Sequence, residues 1–209
     1  MLGAYAAERL PVRVFVTLAA GLALAIRAGS GGSASAFAVD VGTMTMLVAL
    51  FRIWDDLSDR SADAVSHPDR VLVRAGSLTV FRVAVLGLGV AAASVLRLAY
   101  PHRGGLLMFL AVTAGMSVWY VFRPARNTVG DHVLLAKYPA LVVVVALARG
   151  IDRPALLAAS ATVVYLAACL FEAIHDPASP AARNRPLVAV EAVLLAASST
   201  AVIVGALSW

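Results

Sequence analysis

Seven times along this chain an apolar run of roughly 20 residues recurs, the length a helix needs to cross the hydrocarbon core of a bilayer. The runs cover residues 12–28, 34–54, 78–98, 105–122, 132–148, 154–174 and 186–207. Short breaks rich in Gly, Pro, Arg and Asp separate them: RAGSGGS, YPHRGG, FRPARN and RGIDRP. Apolar periodicity inside the runs is weak, as expected of helices that face lipid and one another. In lipid a backbone must satisfy its own hydrogen bonds, so runs of this length fold as helices. The expectation is an all-α integral membrane protein, one domain over residues 1–209, with about seven transmembrane helices bundled around an apolar cavity.

Composition agrees. Hydrophobic residues make up 61%, charged residues 14%, and mean hydropathy is +0.88. A soluble domain rarely has such values. Arg9 and Arg13 ahead of an apolar run, with SASA after it, imitate a secretory leader; the later runs need this one as a neighbour, so it is expected to stay as the first helix. Cys169 is the single cysteine, which excludes an intrachain disulfide and reads as packing. Arginine far outnumbers lysine, as in proteins of GC-rich bacteria.

Basic residues orient such proteins, because cytoplasmic ends collect Arg and Lys. With a cytoplasmic N-terminus, that side holds twelve: Arg9, Arg13, Arg52, Arg60, Arg70, Arg74, Arg82, Arg123, Arg126, Lys137, Arg183 and Arg185. The other side holds five: Arg27, Arg97, Arg103, Arg149 and Arg153. The net charge of +5 is then a topology signal, and no nucleic-acid surface is expected. The expected location is a bacterial cytoplasmic membrane, with the site described next on the cytoplasmic side and the lipid bilayer as the constant partner.

In that topology the second and sixth runs both exit on the cytoplasmic face, and both exits are acidic. RIWDDLSDR supplies Asp55, Asp56 and Asp59, with Asp63 beyond; FEAIHDP supplies Glu172, His175 and Asp176. Residues four apart share a helix face, so Asp55, Asp59 and Asp63 form one stripe and Glu172 and Asp176 another. Helix C-termini disfavour negative charge by roughly 0.3–1 kcal/mol each. A cation relieves that cost, and carboxylate oxygens with substrate phosphates suit Mg2+. Two facing acidic exits are harder to explain as solvated loops than one. Basic residues crowd the same face: Arg70, Arg74, Arg123, Arg126, Arg183 and Arg185. Lys137 lies deeper, where an ionisable group is functional by default, unless it merely pairs with Glu191. Divalent metal beside several cations describes a diphosphate site.

These residues resemble the UbiA superfamily of intramembrane prenyltransferases and terpene cyclases. Asp55 and Asp59 match the two aspartates of the family's Asn-x-x-x-Asp-x-x-x-Asp motif, with Phe51 in place of the asparagine. Arg70 to Leu72 resembles its Arg-Pro-Leu loop, with Val71 in place of proline. Glu172 and Asp176 match its second motif, Asp-x-x-x-Asp. The order of helices and motifs agrees over nearly the whole chain. The last two of the family's nine helices have no counterpart, and a homo-oligomer could supply the absent wall.

The resemblance implies an enzyme in which Asp55, Asp59, Glu172 and Asp176 are catalytic. Together with Asp56 they hold Mg2+. Arg70, Arg74, Arg123, Lys137 and Tyr138 bind the substrate, an isoprenyl diphosphate. The enzyme ionises that substrate and cyclises it to a terpene; the alternative is a prenyltransferase that moves the prenyl group to an aromatic or other acceptor. Aromatic residues at the cytoplasmic helix ends, among them Trp54, Trp119, Tyr120, Phe122 and Tyr138, face a choice between cation–π contacts in the cavity and an interfacial belt. Asp40, deep in the second run, is expected to pair with Arg27. His175 is a candidate to order pyrophosphate, whereas His67, His102 and His132 read as interface residues. A CDP-alcohol-type transferase fits poorly, because Arg60 follows Asp59 where that pattern has Gly. A channel would place its acids along a pore rather than at one rim.

Overall fold

The computed structural model describes residues 1–30, 32–122, 126–176 and 179–207. Among them it is all helix, without a strand. In chain order the helices are α1 (Leu2–Arg9), α2 (Val12–Ser30), α3 (Ala34–Ser58), α4 (Arg60–Ser66), α5 (Thr79–Leu98), α6 (Gly104–Phe122), α7 (Thr128–Leu135), α8 (Lys137–Arg149), α9 (Pro154–His175), α10 (Pro180–Arg183) and α11 (Arg185–Leu207). Seven segments are long and apolar enough to cross a membrane: α2, α3, α5, α6, the α7–α8 pair, α9 and α11. They fall where the apolar runs predict them. The outward faces carry bare aliphatic side chains such as Val83, Leu86, Leu107, Val193 and Ile203, which is the surface of an integral membrane protein.

The α7–α8 span differs from a single expected helix by a break at Ala136. Pro139 explains it. Proline has no N–H to offer the carbonyl four residues back, and its ring crowds that carbonyl. The carbonyl concerned belongs to Leu135, the last residue of α7. The break puts Lys137 at the first turn of α8, turned toward α3.

Below this point α8 is the most enclosed helix. Leu141, Val142, Val144, Val145, Ala146 and Ala148 are fully buried, and α8 packs on α2, α6 and α9. Two glycines allow close approach. A Cβ on Gly105 of α6 would stand 2.3 Å from Ala148 Cβ and 2.6 Å from the Val144 carbonyl. One on Gly29 of α2 would stand 2.6 Å from Leu157 Cβ of α9. The Gly29 carbonyl also accepts from the backbone N–H groups of Asp152 and Arg153 at 3.1 and 3.0 Å. The α2–α9 crossing is thus fixed by backbone contact.

At the far end of the bundle from α4, Asp40 does not meet Arg27. Its carboxylate accepts from Arg149 Nε at 2.7 Å and from the Tyr100 hydroxyl at 3.0 Å. The Arg149 guanidinium also lies 5.7 Å from the Tyr100 ring. Arg27 instead turns back to the Ser33 carbonyl and covers the Phe37 ring. The contact of α3 with α8 brings Arg149 to Asp40. Burial and the neighbouring carboxylate push the Tyr100 phenol well above its ordinary range.

Candidate functional site

The helical hydrogen-bond ladder crosses the α3–α4 junction without a gap. Asp59 N–H donates to the Asp55 carbonyl at 2.9 Å, and Asp63 N–H to the Asp59 carbonyl at 2.8 Å. Asp55, Asp59 and Asp63 therefore recur on one face, and all three line a cavity of about 610 Å³. Glu172 and Asp176, at the end of α9, line the same cavity. So does Asp131 of α7. The two acidic exits share one mouth at one end of the bundle.

Cations are interleaved with these acids. Asp55 is held by the Lys137 ammonium and the Tyr120 hydroxyl. Asp63 pairs with Arg70. Arg126, between α6 and α7, joins three carboxylates: Asp131 at 3.0 Å, Glu172 at 3.0 Å and Asp176 at 2.8 Å. Partial burial works against its charge, but those bonds outweigh that and hold its pKa above the ordinary arginine value. The five N–H donors of a planar guanidinium, held in a fixed fork, let Arg126 serve three acids at once.

Asp56 also lines the cavity, but its oxygens are taken by other partners. It accepts from Arg9 Nε at 3.0 Å and Nη2 at 2.8 Å, and from the Tyr5 hydroxyl at 2.7 Å. Arg52 approaches at 3.5 Å. Both oxygens are thereby engaged, and α1 is drawn over the mouth. Tyr5 is buried, edge-on to Phe81 at 5.3 Å. Burial and the Asp56 carboxylate push its phenol far above the usual tyrosine value, so it stays a donor. Arg60, which follows the acidic stripe, bonds the carbonyls of Leu72, Val73 and Ala75 and fixes the loop that carries Arg70.

Among the described residues the cavity wall holds seven carboxylates and five permanent cations, an excess of two negative charges. A bare diphosphate would be repelled by that balance, whereas its complex with divalent metal would not. Carboxylate oxygens dominate the donors, with the imidazole of His67 at the exposed edge of the wall; an oxygen-rich set suits Mg2+. One oxygen, Asp131 Oδ2, is buried without a hydrogen-bond partner. Such an orphan is costly, and a cation would satisfy it. The residues present therefore fit Mg2+.

Beside this polar mouth lies an apolar groove of about 420 Å³ between α6 and the α7–α8 pair. Val112, Met116, Trp119, Phe122 and Ala140 are among its walls. Phe122 is 77% exposed, so the groove opens toward lipid. Lys137 lines both the groove and the polar cavity.

Of the residues expected at the site, Asp55, Asp56, Asp59, Glu172, Asp176, Arg70, Lys137 and Tyr138 line the cavity. Arg74 is exposed and lies outside its wall. Arg123 lies outside the described residues. His175 stacks on Phe171 at 3.8 Å and does not line the cavity. Lys137 does not pair with Glu191, which bonds His132 Nε2 at 2.7 Å; His132 is therefore a half-buried partner inside the bundle. Trp54 packs on Tyr120 with ring centres 5.2 Å apart. Arg126 and Tyr120, expected near this face, do line the wall, whereas Arg9, Arg52 and Asp131 were not expected there. The Arg52–Asp56 spacing of four was a readable signal; nothing local marks Asp131. Comparison with protein families, with characterised proteins and with solved structures finds no match for this chain.

Proposed function

We propose that this chain is a membrane-embedded enzyme that uses Mg2+ to ionise an isoprenyl diphosphate, as a short, divergent member of the UbiA superfamily. One observation carries the reading: the acids of α3–α4 and of α9 meet in a cation-studded cavity that shares Lys137 with an apolar groove. A polar head and a hydrocarbon tail each have a compartment, and the junction carries a positive charge where the two parts of such a substrate join.

In this reading Asp55, Asp59, Glu172 and Asp176 hold the metal, and Asp131 Oδ2 stands ready to join them. Bound Mg2+ supplies charge neutralisation to the departing diphosphate. Arg70, Arg126 and Lys137 exchange their carboxylate partners for diphosphate oxygens and orient the head. Lys137 donates to the leaving oxygen next to the groove. Tyr120 keeps Asp55 aimed, and Asp56 anchors Arg9 and α1 across the mouth. The apolar groove keeps water from the allylic cation, and the face of Tyr138, in the cavity wall, attracts it. The mouth is cytoplasmic by the distribution of basic residues.

The cation is then quenched by the chain's own double bonds, giving a cyclic terpene. The lipid-facing wall at Phe122 favours a second outcome, capture by an acceptor that arrives through the bilayer. The test is incubation of purified protein in detergent with Mg2+ and prenyl diphosphates of increasing length, with gas chromatography of the products. A cyclic hydrocarbon or alcohol without acceptor identifies the cyclase; product only with a phenol, quinone precursor or porphyrin identifies the transferase. Asp55→Asn and Glu172→Gln each abolish turnover. No pyrophosphate release from any substrate, with or without acceptor, ends the proposal.

A further inference from the structure

Apart from the acidic mouth, a second cluster joins three helices inside the membrane region. His132 of α7, Cys169 of α9 and Glu191 of α11 present ligand atoms all within 4.8 Å of one another. None of the three lines the acidic cavity. Cys169 is 2% and Glu191 5% exposed. Glu191 is the one buried residue of α11 among those described, on a helix otherwise apolar and packed chiefly on α9. A carboxylate placed there needs a reason, because ionisable groups at membrane depth are expensive.

The histidine is already oriented. Its Nδ1 bonds the Thr128 carbonyl at 2.7 Å. That bond takes the N–H and leaves Nε2 directed at Glu191, 2.7 Å away. A ring nitrogen fixed by a backbone carbonyl is the arrangement that metal-binding histidines use. Thiolate, imidazole and carboxylate together are the donors of Zn2+ and its neighbours, not of Mg2+. Tetrahedral bonding to Zn2+ puts ligand atoms about 3.3–3.8 Å apart. Shifts of about 1 Å in side-chain positions would reach that from the spacing present.

We infer that His132, Cys169 and Glu191 form a site for a Zn2+-class transition metal that fastens α11 to α7 and α9. Charge supports it. A thiolate and a carboxylate neutralise a divalent ion, so the filled site is uncharged in a low-dielectric surrounding. Binding releases two protons, one from the Cys169 thiol and one shared between His132 Nε2 and Glu191. The Cys169 thiol hydrogen-bonds Glu191 and the Tyr165 hydroxyl, which already aims its sulfur into the cluster. The site is independent of the diphosphate chemistry.

The test uses the full chain in detergent, stripped with chelator, then titrated with Co2+. The expected result is one Co2+ per chain with thiolate-to-cobalt absorption in the near ultraviolet. Zn2+ abolishes the band and millimolar Mg2+ does not. Cys169→Ser removes it, and Glu191→Gln weakens Co2+ binding by roughly tenfold or more. Zn2+ added to the stripped protein in weak buffer releases about two protons per metal. A measurement on the wild type alone covers variants that fail to fold: Zn2+, but not Mg2+, slows alkylation of Cys169. Absence of the thiolate band, or equal alkylation rates with and without Zn2+, overturns the assignment.

Discussion

Lys137→Met probes the contact that joins the two compartments. The Lys137 and Asp55 side chains are 7% and 13% exposed, so their attraction is little screened by water. Removing the ammonium leaves Asp55 with the Tyr120 hydroxyl as its named neutral donor. Leaving one member of a buried pair uncompensated costs about 3–5 kcal/mol. That lowers the folding constant by roughly two to three and a half orders of magnitude. Asp55→Asn added to Lys137→Met removes both charges and should return stability to within about 1 kcal/mol of wild type, because an uncharged pair carries no desolvation debt. The assay is unfolding in mixed detergent micelles with increasing SDS, read by tryptophan fluorescence; Trp54 sits 5.2 Å from the Tyr120 ring and reports on this corner. Mg2+ should stabilise Lys137→Met more than wild type, since Asp55 no longer has to give up its ammonium. A single variant within about 0.5 kcal/mol of wild type, the scale of surface changes, would refute the pairing argument. So would a double variant as unstable as the single one. Equal Mg2+ responses would remove Asp55 from the metal set while leaving the pairing argument standing.

Gly105→Ala should cost about 1–3 kcal/mol by overpacking α6 against α8, while Gly104→Ala, whose Cβ meets nothing nearer than 3.5 Å, should cost far less; thermal melts in detergent compare the two, and equal melts contradict the close approach. Arg126→Gln leaves Asp131, Glu172 and Asp176 without their shared cation and should raise KM for the prenyl diphosphate roughly 10- to 100-fold; steady-state kinetics with an unchanged KM would take Arg126 out of substrate binding. Tyr5→Phe deletes a buried 2.7 Å bond to Asp56 and should cost about 1–2 kcal/mol. The folded phenol is raised, so its stabilisation is full below the unfolded value of about 10 and is lost as pH climbs from there through the folded value. Melts of the two proteins should differ by a constant amount from neutral pH to about 10 and converge above it; a gap that closes near neutrality contradicts the buried donor.

The spans were legible because lipid leaves a backbone no other partner than itself, and the apolar runs measure that need directly. The acidic stripes were legible because a spacing of four is a local property of a helix. What the sequence hides is pairing across the bundle. Arg126 takes partners 5, 46 and 50 residues away, and Asp40 takes Arg149 across 109 residues. Arg27, the nearer candidate in sequence, is drawn back onto its own hairpin. The α1 helix is too short to register as a span, so Arg9 read as a topology signal, although it reaches into the mouth. The Pro139 break was readable in principle, since a proline that far into an apolar run removes a specific hydrogen bond.

The salt link between Asp40 and Arg149 gives the bundle a sealed base. Between it and the acidic mouth, along α3 and α8, lie Met44, Leu47, Leu141, Val144 and Val145, all fully buried. A solute admitted at the mouth has no polar route onward through them. Traffic through this molecule is accordingly one-sided. In the proposed reaction, a water-soluble product would therefore depart by the door through which the charged head came in, and only an oily product would leave sideways into the membrane.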